Sequence, residues 1–322
     1  RHRGNKPRIA ARFAVNLQAD NSQGSNFGLR AAYHQTWLNN LGGELIYNGE
    51  IGSINRLGVN YYQPLDARQS FFFEGTAGVG QTRINVYEND RRIAQYRDSE
   101  NGFGAHLGAN IGLLGPVRLG WVQRRRYFDL DIGDPSLPTG DMKMTGWKAS
   151  LDFEQFDRMY FPTRGWAAQL SWFESPGSNY ARADADLRGA YAFGGTVFNA
   201  RLRYPGSPRG NLPVFDAGTL GGFLNMTAYA PAQIIADEIR YLGVRGEQII
   251  GRLPLGLRGD MRIGIAVEAA RVGSRFTESN RVGLLDSAAL YVGGETPFGP
   301  AYVGFGYSTS GVSNLFLFIG TP

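Results

Sequence analysis

Polar and apolar residues alternate along most of this chain. Arg182, Asp184, Asp186 and Arg188 interleave with Ala183, Ala185, Leu187 and Gly189, so one face of the segment is charged and the other apolar. A period of two places successive side chains on opposite faces of a β-strand. The same phase recurs: Ile9, Ala11, Phe13, Val15 and Leu17 against Arg8, Arg12, Asn16 and Gln18; Trp147, Ala149, Leu151 and Phe153 against Lys148, Ser150, Asp152 and Glu154. It continues in Phe198, Ala200, Leu202 and Tyr204 against Asn199, Arg201 and Arg203, and in Val303, Phe305 and Tyr307 against Gly304, Gly306 and Ser308. About sixteen such segments can be phased, beginning near residues 8, 26, 42, 55, 69, 98, 115, 142, 165, 180, 195, 237, 259, 284, 300 and 313. The chain reads as β throughout.

The connections carry a second signal. Asn39 to Gly42, Leu113 to Pro116, Gly194-Gly195 and Thr296-Pro297-Phe298-Gly299-Pro300 are short and turn-like. Tyr87 to Glu100, Gly133 to Asp141, about Pro205 to Ala236, and Arg271 to Gly283 read as long polar loops. Short turns at one end and long loops at the other is the asymmetry of an outer-membrane barrel, with the short turns on the periplasmic side. An even strand count then puts both termini in the periplasm.

Composition narrows the alternatives. The 45 glycines among 322 residues are about twice the usual share, which suits tight turns. No apolar run reaches the roughly 18 residues of a membrane-spanning helix, but a β-barrel crosses without one. A soluble β-sandwich would need an unusually large core for sixteen strands. Its wet face would carry mixed Lys and Glu, whereas this one is rich in Arg, Asp, Asn and Gly, and Trp and Tyr near strand ends suggest aromatic girdles. These features predict an all-β, 16-stranded antiparallel transmembrane barrel, in contact with outer-membrane lipids. The net charge of +5 comes mostly from dispersed Arg, with Arg124, Arg125 and Arg126 as the one run, so nucleic acid is not expected as a partner. Cysteine is absent, which removes disulfides and thiol chemistry. The chain opens on the basic stretch Arg1 to Lys6 without a signal peptide, so residues 1–7 are read as a linker from an upstream region and 8–322 as the barrel.

Motifs then point to a family. Phe161-Pro162-Thr163-Arg164-Gly165, at a turn between the eighth and ninth strands, resembles the Omp85 superfamily, whose C-terminal surface antigen D15 barrels have sixteen strands. The similarity extends to Leu290 to Tyr307, like the family's penultimate hairpin, and to Leu315 to Gly320, like its final strand. Members commonly end on an aromatic residue read by the barrel-assembly machinery; here the last residue is Pro322.

The resemblance also implies a loop folded into the lumen. Gly221-Gly222-Phe223-Leu224-Asn225-Met226-Thr227-Ala228-Tyr229-Ala230-Pro231 matches the family's sixth extracellular loop, which normally carries Val-Arg-Gly followed by an aromatic. In that register Met226, Thr227, Ala228 and Tyr229 take the four places, and the arginine is missing. The family's arginine pairs with an acid on the thirteenth strand, a place occupied here by Glu268 between Ala266-Val267 and Ala269-Ala270. A poorly hydrated carboxylate needs donors or a counter-charge, so inward Arg201, Arg203, Arg245 or Arg262 is expected to serve, with Thr227 donating one neutral hydrogen bond. Val244-Arg245-Gly246-Glu247 also contains Val-Arg-Gly, but it falls within the twelfth strand and lacks the following aromatic.

Loss of the arginine beside Gly-Gly-Phe-Leu-Asn is similar to the patatin-like type Vd subgroup. That resemblance implies a translocator and anchor for a covalently linked N-terminal phospholipase passenger, joined through a POTRA domain, in the outer membrane of a Gram-negative bacterium. Catalysis is not expected in the chain itself. Gly306-Tyr307-Ser308-Thr309-Ser310 is the nearest match to a nucleophile elbow and lacks its strand-to-helix context. His2, His34 and His106 share no ligand-like spacing, Asp129, Asp131 and Asp134 lack a calcium-loop pattern, and no cofactor or metal is expected. A barrel insertase or two-partner secretion transporter of the same superfamily is the alternative, and a diffusion porin the alternative of another class. The apolar outer face leaves a homodimer open.

Overall fold

A computed structural model of the chain describes residues 8–21, 24–177, 181–252, 259–281, 283–297 and 299–320. The basic segment 1–7 with His2, and Phe298 and Pro322, lie outside the described residues. Sixteen antiparallel strands close into a barrel, and two short strands form a separate hairpin. In order they are β1 (Arg8–Asp20), β2 (Gly24–Thr36), β3 (Glu44–Gly52), β4 (Ile54–Pro64), β5 (Phe71–Glu88), β6 (Arg91–Ile111), β7 (Gly115–Ile132), β8 (Gly140–Glu154) and β9 (Arg164–Glu174). There follow β10 (Ala181–Phe193), β11 (Thr196–Arg209), the hairpin strands β12 (Gly218–Leu220) and β13 (Ile234–Ala236), then β14 (Ile239–Arg252), β15 (Asp260–Val272), β16 (Leu284–Thr296), β17 (Gly299–Tyr307) and β18 (Ser313–Ile319). Each barrel strand pairs with its neighbour in sequence, except that β11 pairs with β14 across the hairpin and β1 closes on β18. Closure is what pairs edge N–H and C=O groups when no water is at hand.

The alternation sorts as the phasing implies. Phe13, Leu57, Trp147, Leu187, Val267 and Leu315 point outward and exposed, while Lys148, Arg182, Asp184, Asp186 and Glu268 point inward. Among the tryptophans, Trp166 and Trp172 lie near the ends of β9, as a girdle requires. Trp121 and Trp147 instead sit mid-strand on the outer face as register partners, their rings edge to face at 5.2 Å.

One expected long loop is absent. Tyr87 to Glu100 is almost entirely strand, because Asn89 and Asp90 adopt left-handed φ values of 53° and 60° and turn β5 into β6 in two residues. That is the geometry a two-residue hairpin needs, and Asn and Asp tolerate it best after Gly. The polar residues read as a loop are the two arms of a long hairpin. Its tip crosses the mouth to the β15–β16 connection, where Ser279 Oγ donates to Glu88 and Asn280 Nδ2 donates to Asn89 Oδ1 at 2.8 Å.

The closing seam is short. Its ladder joins Leu17, Gln18, Ala19 and Asp20 to Ile319, Phe318, Leu317 and Phe316. Residues Arg8 to Asn16 of β1 pair with β2 alone. The short β18, seven residues against thirteen in β1, is the cause.

Candidate functional site: a plug loop clamped in the barrel lumen

Between β11 and β14 the chain turns into the barrel. The β12–β13 stem pairs Gly218 with Ala236 and Leu220 with Ile234, and residues 221–233 form its tip. Gly221 has φ 121°, and a Cβ there would fall 1.9 Å from the Ala230 carbonyl oxygen, so this position admits only glycine. Gly221 N donates to Asn225 O at 2.8 Å and Gly222 N to Tyr229 O at 2.9 Å. Leu224, Met226 and Ala232 are also left-handed, at φ 53°, 73° and 54°. Non-glycine residues are held in that region only where surroundings over-determine them.

Glu268 on β15 supplies the restraint. Its Oε1 accepts from Met226 N at 3.0 Å and Tyr241 Oη at 2.7 Å; its Oε2 accepts from Thr227 N at 2.7 Å and Ser287 Oγ at 2.9 Å. The left-handed Met226 turns two successive N–H groups toward one carboxylate, an arrangement that concentrates partial positive charge on an anion. Ala228 N donates to Ser287 Oγ at 3.0 Å, and Asn314 Nδ2 donates to Thr227 O at 3.2 Å. The wall beneath is Gly306, where a Cβ would lie 2.8 Å from the Thr227 carbonyl.

None of the expected arginines serves Glu268. Arg201 forks onto Asp186, at 3.1 and 2.6 Å, and Arg203 donates to Asn225 Oδ1 on the loop. Arg245 and Arg262 flank buried Glu247 instead, at 3.5 and 3.9 Å. Thr227 contributes its backbone N–H, and its hydroxyl oxygen accepts from Leu224 N at 3.0 Å. Two main-chain N–H groups and two neutral hydroxyls thus satisfy the carboxylate in place of an arginine.

Packing completes the plug. Leu220, Met226, Ala228, Tyr229, Ile234 and Ala236 bury against Ile239, Tyr241, Ala270 and Leu285. Phe223 lies among Tyr291, Tyr302, Phe316 and Phe318 with ring centroids 4.6 to 5.6 Å away. Phe161 joins the same cluster from the opposite end of the barrel, 5.5 Å from the Tyr302 ring and under the Arg262 guanidinium at 4.7 Å. So Phe161-Pro162-Thr163-Arg164-Gly165 is more than a turn, because its first residue enters the lumen. Asp157 ties that turn by accepting from Thr163 N at 2.9 Å and Arg164 N at 3.1 Å. Its carboxyl is held down to about 2, chiefly by the Thr163 hydroxyl. This aromatic column went unread in the sequence, although Leu315 to Ile319 offered the signal: its strand is apolar on both faces, which implies burial on both.

The charged wall grips the loop's shoulder. Asp216, in a short 3-10 turn (Val214–Asp216), accepts from Arg182 Nη1 at 3.0 Å and Arg124 Nη2 at 3.4 Å. Phe215 stacks on Phe128 at 4.0 Å. At the mouth, Gln233 Nε2 donates to Asp90 Oδ1 at 2.8 Å and Glu278 Oε1 at 2.9 Å, and Arg281 pairs with both acids. Tyr229 Oη hydrogen-bonds with Ser308 and Ser310 beneath the Arg281 guanidinium. Luminal space remains beside the plug among the described residues. One space of about 910 Å³ is lined by Glu74, Asp98, Arg118, Arg124, Lys148 and Asp184 among others; one of about 360 Å³ lies between Phe161, Arg245, Glu268 and Tyr302. His34 pairs with Glu44 at 2.7 Å, Asp131 pairs with Arg83 and Arg97, and among the described residues no group of three His, Asp or Glu is placed to hold a metal.

The structure is a closed sixteen-stranded antiparallel barrel with a luminal plug, the fold that the Omp85 resemblance implies. No protein-family model matches the chain, and no curated protein matches it in sequence. Among solved structures it is similar to BamA from Haemophilus ducreyi, determined without POTRA domains 1–3, with a TM-score of 0.74 at 14% identity over 97% of this chain and 70% of that one. CdiB from Acinetobacter baumannii gives 0.61 at 13% identity, and CdiB from Escherichia coli 0.59 at 13%. The chain covers 60% and 62% of those two proteins, and 96% and 95% of it is matched. At these identities the likeness establishes a shared fold.

Proposed function

We propose that this chain is the outer-membrane barrel of an Omp85-superfamily protein translocator, anchoring and exporting a passenger joined to its N-terminal side. The observation that carries the reading is a clamped plug loop beside a four-pair seam. A plugged lumen speaks against a diffusion porin, and a β1 edge that is unpaired with β18 from Arg8 to Asn16 gives a place where the wall can part. Residues 1–7 serve as the linker to a POTRA domain, residues 8–322 as the barrel, and both termini face the periplasm. The passenger is a patatin-like phospholipase, a reading favoured over an insertase or a two-partner secretion transporter by the loss of the loop arginine. The barrel contributes no catalysis. It is delivered to the membrane by the assembly machinery, as a monomer or a homodimer.

Locking the seam tests the mechanism. Ala19 and Leu317 are cross-strand partners and the chain has no cysteine, so Ala19→Cys/Leu317→Cys in the full-length protein can form one disulfide. The oxidised barrel is expected to insert but to stop exporting its upstream segment, and reduction to restore export. Unchanged surface display of the oxidised form refutes lateral opening. Large, steady conductance of the wild-type barrel in planar bilayers would favour the porin.

A further inference from the structure

The outer face carries a groove that the translocator reading does not use. It has a volume of about 450 Å³ and runs over Ala185 and Leu187 on β10, Leu202 and Tyr204 on β11, Leu242 on β14, Ala269 on β15 and Leu284 on β16. The floor follows from register. Leu187 faces Leu202, Leu202 faces Leu242, and Leu242 faces Ala269, so a continuous apolar row crosses four strands, with small residues at Ala185 and Ala269 making the hollow.

One end of the groove is cationic. Arg240 and Arg271 line it and are direct cross-strand partners. They stand where β14 leaves the plug stem, the same end from which the loop enters. Like charges placed directly opposite on a sheet repel. Glu238 neutralises part of Arg240, accepting from its Nε at 2.6 Å, while among the described residues Arg271 makes no ion pair. Two guanidiniums against one carboxylate leave a single positive charge at the head of an apolar trough.

We infer that this groove is a specific site for an anionic lipid, one acyl chain lying over Leu202 and Leu242 and the headgroup phosphate between Arg240 and Arg271. A phosphate accepts from both guanidiniums at once and removes their mutual repulsion. The chain takes the place of the apolar contact that Ala185 and Ala269 leave unfilled. This rests on the reading of the chain as a membrane barrel.

The test uses the barrel purified in detergent, with its folded state verified by heat-modifiable migration, and native mass spectrometry after adding phosphatidylglycerol or the diacylglycerol with the same chains. The wild type is expected to retain one phosphatidylglycerol in preference to diacylglycerol by about tenfold or more. Arg240→Glu/Arg271→Glu should abolish the preference, and Ala269→Trp, which fills the groove from an outward position, should reduce retention of both lipids. Excess inorganic phosphate should fail to displace the lipid. Equal retention of the two lipids, an unchanged preference in the charge-reversed barrel, or displacement by phosphate alone overturns the inference. A chain that stays folded and soluble without detergent defeats the barrel reading itself, an outcome distinct from a detergent-folded barrel lacking lipid preference.

Discussion

The two halves of the lumen hold the same loop by different physics. From β14 to β18 the inner wall is buried and largely apolar and aromatic, enclosing the Arg245–Glu247–Arg262 group, and the plug tip packs onto it with the Glu268 carboxylate saturated by four donors. From β4 to β10 the wall is a lattice of ion pairs around an open cavity, as in Arg118 with Glu74 and Asp152. It touches the loop at the Val214–Asp216 shoulder. A dry wall makes each lost hydrogen bond expensive, because stranded donors find no water. A wall of solvated pairs tolerates deletion, because charge is shared among many partners and screened. The tip is therefore expected to act as a fixed element and the shoulder as an adjustable one.

The sharpest way to break this contrast is at Glu268. Glu268→Ala strands two backbone N–H groups and the Ser287 hydroxyl, while Tyr241 keeps the Leu224 carbonyl at 3.1 Å, and should cost about 3–5 kcal/mol. Melting followed by gel shift, with protease nicking within 221–233, would check it; a loop still protected would place the hold elsewhere. Gly306→Val drives a side chain into the Thr227 carbonyl and is expected to cost about 1–3 kcal/mol. A cysteine at Met226 should become reactive in that background while the barrel stays closed.

On the charged side, Asp216→Ala should cost about 1–2 kcal/mol, since Arg182 keeps Asp184 at 2.8 Å. The effect of breaking the more exposed Arg118–Asp152 pair should shrink at high salt, whereas that of Glu268→Ala should not. Equal salt dependence would erase the distinction between the halves. Arg118→Ala, remote from the loop, should change stability by about 1 kcal/mol or less.

The smallest effect concerns the Phe161 turn. The Asp157 carboxyl lies below its ordinary value of 3.8, at about 2, so its stabilisation is complete above 3.8 and disappears as pH falls through 2. Fluorescence of Trp166 should report turn loosening only within that acid window. Asp157→Asn should flatten the change.

Much of the fold was legible because a strand records burial with a period of two. Sixteen phased segments began within a few residues of most observed strands, and the fold they imply is the one found. The Tyr87 to Glu100 region was misread because polarity was taken for a loop, although Asn89-Asp90 carries the two-residue turn. The plug loop was legible as an inserted segment only through the resemblance of Gly221 to Pro231 to the sixth extracellular loop of the Omp85 superfamily. Its fastening was not, because two of the donors to Glu268 are main-chain groups that every residue possesses, and the other two, the Tyr241 and Ser287 hydroxyls, come from strands whose register decides the meeting.

Alternation alone therefore determined which side chains face in and which face out, and with it the barrel. Tertiary structure alone decided who meets whom across the lumen: that Glu268 takes Met226 and Thr227 rather than an arginine, that Arg245 and Arg262 gather at Glu247, and that Phe161 and Phe223 share one aromatic column. The period of a strand is a local property, set by its own backbone. A partner across the barrel depends on closure, on the short β18 that sets the seam, and on φ angles that only the folded loop imposes.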